Sequence, residues 1–171
     1  LITSFTLNSL TKNLYVEELL DKLQYTNSPM TAESIRKKIW DEWIYDVPKK
    51  YQKKLNFALS EFYSGNLLSS EKEFTKLINE IPWYIEGWNK RATIRFMLND
   101  LEGSLQDIDK VLKLQPRHFG AISGSGLIYM KKKQYKNALK VYSLLNKIDP
   151  MNTDSKNFIK FLKKIINENS V

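Results

Sequence analysis

Pro82, Pro116 and Pro150 stand 34 residues apart, twice over. Each closes an amphipathic stretch, which ends at Ile81, Gln115 or Asp149. Proline lacks an N–H and clashes with the turn before it, so each marks a helix stop. An internal period of this size is the signature of a solenoid. The spacing has room for two helices of roughly 14 residues and two short turns.

Four further sets keep the same register. They are Ala58, Ala92 and Gly126; Leu67, Leu101 and Tyr135; Ser70, Ser104 and Ala138; and Phe74, Ile108 and Tyr142. Small residues recur where two helices must approach closely, and large apolar ones where a neighbour must be wedged. In the known repeat that these positions resemble, apolar or aromatic groups stand where this chain has Arg91, Arg95, Glu61 and Ser125. They put single packing contacts in doubt and leave the period intact.

These positions resemble the tetratricopeptide (TPR) repeat. Trp88 with Ala92, Gly126 with Tyr129, and the pairs Ser70/Phe74, Ser104/Ile108 and Ala138/Tyr142 carry the likeness. The stretches "EGWNKRAT" and "QPRHFGAISGSGLI" are similar to small bacterial TPR proteins without an assigned activity. The resemblance implies an all-α, right-handed TPR superhelix with three repeats, at 51–84, 85–118 and 119–152.

Flanking elements complete the expected organisation. Leu14, Leu19, Leu20 and Leu23 form one stripe, and Ile35, Ile39, Trp40, Trp43 and Ile44 another. They predict a helical hairpin over 12–47, with helices at about 12–26 and 31–45 broken by Asn27-Ser28-Pro29. Thr31 and Ser34 offer start signals for its second helix. Its expected role is to cap the first repeat. Residues 153–171 predict a capping helix and tail, with lysines opposite Phe158, Phe161 and Leu162 and with Thr153 or Asp154 as its N-cap. Residues 1–11 read either as a disordered start or as the end of a signal segment. Cytoplasm and export therefore both stay open.

Composition removes several chemistries. The 171 residues include no Cys and one His. A disulfide scaffold, a thiol nucleophile and a Cys-based zinc site are excluded. No run of 18 apolar residues is present to span a membrane as a helix. The net charge of +8 belongs to the last third, where residues 117–171 hold 11 basic and 3 acidic groups. Nucleic acid or an acidic surface is therefore an alternative partner. Lys outnumbers Arg 23 to 4, whereas phosphate recognition favours the planar fork of Arg.

Candidate chemistry resolves into local roles. The GAISGSG stretch at 120–126 lacks a preceding strand and a following Lys-Ser/Thr, so it reads as close packing rather than a phosphate loop. His118 follows Pro116 with no nearby nucleophile or orienting carboxylate and reads as a helix-start residue. Glu86, Asp100, Glu102, Asp107 and Asp109 read as solvated surface. The lysines at 131–133 suit the end of a helix. No catalytic residue, metal or cofactor is expected.

The resemblance places the first helix of each repeat on the concave side. The expected groove residues are Leu55, Leu59, Phe62 and Tyr63, then Asn89, Thr93, Phe96 and Met97, then Ser123, Leu127 and Met130. That surface suits a peptide or partner helix with apolar anchors. Only Asn89 and Lys90 are reminiscent of the Lys/Asn set by which TPR domains grip a C-terminal carboxylate, so such a clamp is not expected. The leading expectation is a non-enzymatic protein-interaction module. A third reading is a self-associating module with Trp40 and Trp43 at its interface.

Overall fold

The computed structural model describes residues 4–168, with side chains described from residue 13 onward. Among the described residues all regular structure is helical. The order is α1 (Ser4–Tyr25), α2 (Pro29–Ile44), a 3-10 turn (Lys49–Tyr51), α3 (Gln52–Tyr63), α4 (Leu67–Glu80), α5 (Ile85–Met97), α6 (Leu101–Leu114), α7 (Phe119–Lys131), α8 (Tyr135–Ile148) and α9 (Thr153–Glu168).

The 34-residue register reappears as geometry. Gly65, Asn99 and Lys133, one period apart, each adopt positive φ (79°, 65° and 56°). Each ends the first helix of a pair, and the next residue's N–H closes back five residues, as from Asn66 to Glu61, Asp100 to Arg95 and Gln134 to Tyr129. The small positions bring the two helices together. Ser70 Oγ donates to the Ala58 carbonyl at 2.8 Å, and Ser104 Oγ to that of Ala92 at 2.7 Å. In the third pair a Cβ on Gly126 would stand 2.7 Å from the Tyr142 ring, so only glycine fits there. Successive pairs stack in chain order, α4 on α5, α6 on α7 and α8 on α9.

The hairpin differs from expectation in extent and in place. α1 begins at Ser4 rather than near 12, and no Gly or Pro interrupts the chain before Pro29. The expectation for residues 1–11 lies partly outside the described residues. Ser28, whose Oγ accepts from the Thr31 N–H, is the N-cap of α2, and Asn152 rather than Thr153 or Asp154 accepts the Ser155 N–H at the start of α9. The hairpin does not close off the first pair. Its apolar stripe, with Leu19, Leu20, Leu23, Ile39 and Trp43, shares one core with Phe119, Ile122 and Tyr142 of α7 and α8. The outer face of α3 shows why. Lys53 and Ser60 there are exposed, whereas their counterparts Gly87, Ala121, Ile94 and Ile128 are buried under the preceding pair. That face of α3 is already polar enough to end the stack.

The departures at 91 and 95 form an ionic wedge between pairs. The Arg91 guanidinium donates to both Asp107 oxygens, and Arg95 reaches Asp107 at 3.1 Å and Glu71 at 2.8 Å. Asp107 and Glu86 are buried, which corrects their reading as solvated carboxylates. Asp109 keeps the surface role, paired with Lys113 one turn on.

Candidate interaction groove

Helices α3, α5 and α7 present five rows toward the inner side of the stack. Two rows start the helices: Gln52, Glu86 and Gly120, then Leu55, Asn89 and Ser123. Three rows end them: Leu59, Thr93 and Leu127, then Phe62, Phe96 and Met130, then Tyr63, Met97 and Lys131.

The hairpin covers the starting half. Trp43 stacks on the His118 ring, with centroids 4.0 Å apart and planes at 18°. Trp40 meets Phe119 edge-on at 5.2 Å. A Cβ on Gly120 would lie 2.6 Å from Trp40 Cη2, so this glycine is what admits the indole. Tyr84 Oη donates to the Ile44 carbonyl at 3.0 Å. Trp40 and Trp43 are thus spent inside the chain, not displayed as an interface between copies.

Charge fixes the hairpin's position. Arg117 donates to Glu17 and to Asp21, and Gln115 to Glu17 at 2.8 Å. Arg36 of α2 pairs with the buried Asp149 at 2.8 Å. Burial works against the charged Arg117, yet its bonds to Asp21 and Glu17 outweigh that and hold its pKa above the ordinary value.

His118 is consumed by structure. Its Nδ1 accepts the Ala121 N–H at 3.0 Å and caps α7. The ring proton therefore sits on Nε2, which donates to Glu86 Oε1 at 2.8 Å. Asn89 Nδ2 donates to the same carboxylate. Both ring nitrogens are engaged and the side chain is buried, so it has no access to a substrate proton. The orienting carboxylate lies 32 residues back, in the first turn of α5, where the helix dipole favours it. Sequence reading missed this pair, although Glu86 breaks the row of Gln52 and Gly120. Among the described residues no group of His and carboxylates could hold a metal ion.

The eleven expected groove residues divide accordingly. Leu55, 1% exposed, packs in the core with Val47, and Asn89, 7% exposed, is bonded to Glu86. Neither faces an open groove, because the hairpin and its linker run over them. Ser123, Leu59, Phe62, Phe96 and Met130 are half-buried, and Met130 packs against the core that α7, α8 and α9 share with the hairpin. Tyr63 at 76%, Met97 at 54% and Leu127 at 40% are open, as is Thr93. The structure therefore leaves an apolar strip along the C-terminal halves of α3, α5 and α7. Lys131 Nζ lies over the Phe96 ring at 5.3 Å from its centroid.

No protein-family profile matches the chain. A TPR repeat-containing protein of Rhizobium etli is 30% identical over 124 residues, which are 66% of this chain and 55% of that protein. The chain thus spans about half the length of that curated relative. The first TPR domain of Spaghetti, solved with the HSP90 peptide SRMEEVD, superposes with a TM-score of 0.64 at 19% identity, covering 68% of this chain and 94% of that one. A tetratricopeptide repeat protein from Parabacteroides merdae gives 0.65 at 20% identity, covering 90% and 60%. No helix among the described residues is long and apolar enough to cross a membrane.

Proposed function

The chain is a tetratricopeptide-repeat solenoid, and on that premise we propose that it is a non-enzymatic module that binds a peptide or partner helix along its open strip. The observation that supports this reading is the strip itself. Leu59, Phe62, Tyr63, Thr93, Phe96, Met97, Leu127 and Met130 form one surface, apolar and only partly covered. Large apolar side chains left uncovered in a continuous patch mark interaction sites. The peptide-bound domain among its structural neighbours lends the class of ligand.

The strip narrows what binds. A carboxylate clamp needs amide and ammonium groups converging on a peptide end, and Asn89 is already bonded to Glu86 beneath the hairpin. Affinity then comes from apolar burial, at about 25 cal/mol per Å² before the costs of ordering.

A displayed library of random 16-residue peptides tests this. The intact chain is the bait, and a Met97→Glu/Leu127→Glu variant that keeps its circular dichroism spectrum is the counter-bait. Peptides enriched on the intact chain and lost on the variant are expected. Enrichment that is equal on both would sink the reading.

A further inference from the structure

The terminal helix continues the strip. Ile94, Ile128 and Leu162 follow one another by 34 residues and are all fully buried. Ala121 and Ser155 keep the same register and are buried too. α9 therefore packs on α8 as α7 packs on α6, and occupies the place of a fourth inner helix. Adding 34 to Leu127 gives Phe161, which is 48% exposed. Adding 34 to Lys131 gives Ile165, and to Met130 gives Lys164. Lys160 stands where the earlier pairs carry Ala58, Ala92 and Gly126, and among the described residues no second helix closes on α9 as α4, α6 and α8 close on theirs.

Resting on the proposed groove, we infer that α9 is its fourth wall and that the partner is an amphipathic helix with acidic flanks, lying across α3, α5, α7 and α9. Three observations carry this. The first is reach. Anchors on neighbouring inner helices, at the roughly 10 Å spacing general to packed helices, match the rise of two helical turns, so a partner helix would meet Tyr63, Met97, Leu127 and Phe161 with side chains about seven residues apart. The second is backbone satisfaction. An extended peptide needs hydrogen-bond groups for its own N–H and C=O. The polar group at the strip's centre, Thr93 Oγ1, already donates to the Asn89 carbonyl at 3.0 Å. A helix brings its backbone bonds with it.

The third is charge. The rows through Leu59, Phe62 and Tyr63 hold no carboxylate across the four helices, but they hold Lys131 and Lys164. Lys131 rests on Phe96, and Lys164 stands 3.8 Å from the exposed Glu168 at the strip's far end. The chain already solves the neighbouring half in the same way. There α1, with Leu19, Leu20 and Leu23 buried and Glu17 and Asp21 on its flank, is held by Arg117.

The probe is a fluorescein-labelled synthetic helix of about 20 residues, long enough at 1.5 Å per residue to span roughly 30 Å. Leu residues form its apolar stripe and Glu residues its flanks. A second peptide carries Lys for every Glu, and a third carries two central prolines. Anisotropy titrations of the intact chain are expected to give at least tenfold tighter binding to the acidic helix than to either control. Phe161→Glu is expected to weaken it at least fivefold. Lys131→Glu/Lys164→Glu, at exposed positions that leave packing intact, is expected to weaken it by a similar factor and to flatten its salt dependence. Equal binding of the Lys or proline peptide, or no binding of the acidic one up to about 1 mM, overturns the inference. Loss with Met97→Glu and none with Phe161→Glu removes α9 from the groove and leaves the proposed function standing. Indifference to both variants removes both.

Discussion

Arg91 grips Asp107 through two parallel hydrogen bonds, Nε to Oδ2 at 2.8 Å and Nη2 to Oδ1 at 2.6 Å. Both side chains are nearly buried, and the pair sits where an apolar residue would wedge one helix pair into the next. Desolvating two ions costs several kcal/mol, which the bidentate geometry and the added bonds, from Arg95 to Asp107 and from Arg91 to Thr75 Oγ1, offset. Removing one partner leaves the other buried and uncompensated. Asp107→Ala is expected to cost about 3–5 kcal/mol in urea unfolding. Arg91→Met/Asp107→Leu, which removes both charges, is expected to cost clearly less. A double variant as unstable as Asp107→Ala would show that the ion pair itself, and not the unpaired charge left behind, carries the stability.

Tyr142 carries a different polar problem. Its ring fills the cleft opposite Gly126 and stacks on Phe158 at 4.5 Å, and its hydroxyl has no hydrogen-bond partner among the described residues. Phe74 holds the equivalent place in the first pair. Tyr142→Phe is expected to leave stability unchanged or raise it by about 1 kcal/mol. Burial also pushes the phenol up to about 12, from an ordinary value near 10. Between those values the folded state keeps a proton that the unfolded chain has lost. The stability contributed by the neutral phenol is therefore whole below pH 10 and drains away as pH rises through 12. Urea midpoints across that window should fall less steeply in Tyr142→Phe. An unchanged slope would place the alkaline sensitivity elsewhere, with Tyr84 as the next group to test.

The three glycines of α7 should separate cleanly. A methyl on Gly126 meets the Tyr142 ring at 2.7 Å, and one on Gly120 meets the Trp40 ring at 2.6 Å. A methyl on Gly124 has as its nearest neighbour Ile108 at 3.5 Å, an ordinary contact. Helix propensity favours Ala over Gly by about 1 kcal/mol. Gly124→Ala is expected to raise the thermal midpoint, and Gly126→Ala and Gly120→Ala to lower it. Calorimetry of the three variants decides the matter, and a stabilised Gly126→Ala would contradict the packing described.

What was legible in the sequence follows from range. The stops at Pro82, Pro116 and Pro150 and the Ala–Ser contacts are set within one helix pair, so periodicity reveals them. Arg91 and Arg95 showed only as departures, because their partner Asp107 is identified by the phase of the next helix. The hairpin's seat was not legible. It depends on Arg117 meeting Glu17 and Asp21 about 100 residues away, and on Gly120 admitting Trp40, and neither relation repeats. That is why Leu55 and Asn89 read as groove while they are covered. Phe161 was within reach, one period beyond Leu127, but its helix read as a cap alone.

The hairpin's seat yields the last prediction. Trp43 is nearly buried between α2 and the start of α7, stacked on His118 and 5.0 Å from Phe119. Truncating a buried indole costs about 3–5 kcal/mol when the walls cannot collapse. Here the walls are fixed, since His118 is bonded at both nitrogens. If the hairpin and the later pairs form one cooperative core, Trp43→Ala lowers the global urea midpoint, and amides of α2, α7 and α8 lose hydrogen-exchange protection together. If the hairpin is a separate unit, only α1 and α2 lose protection and the midpoint holds. The shared core of Leu20, Ile39, Trp43, Ile122 and Tyr142 predicts the first outcome. Trp43→Phe keeps an aromatic face on His118 and should recover a large part of the loss, whereas Trp43→Leu, similar in burial but unable to stack, should recover less.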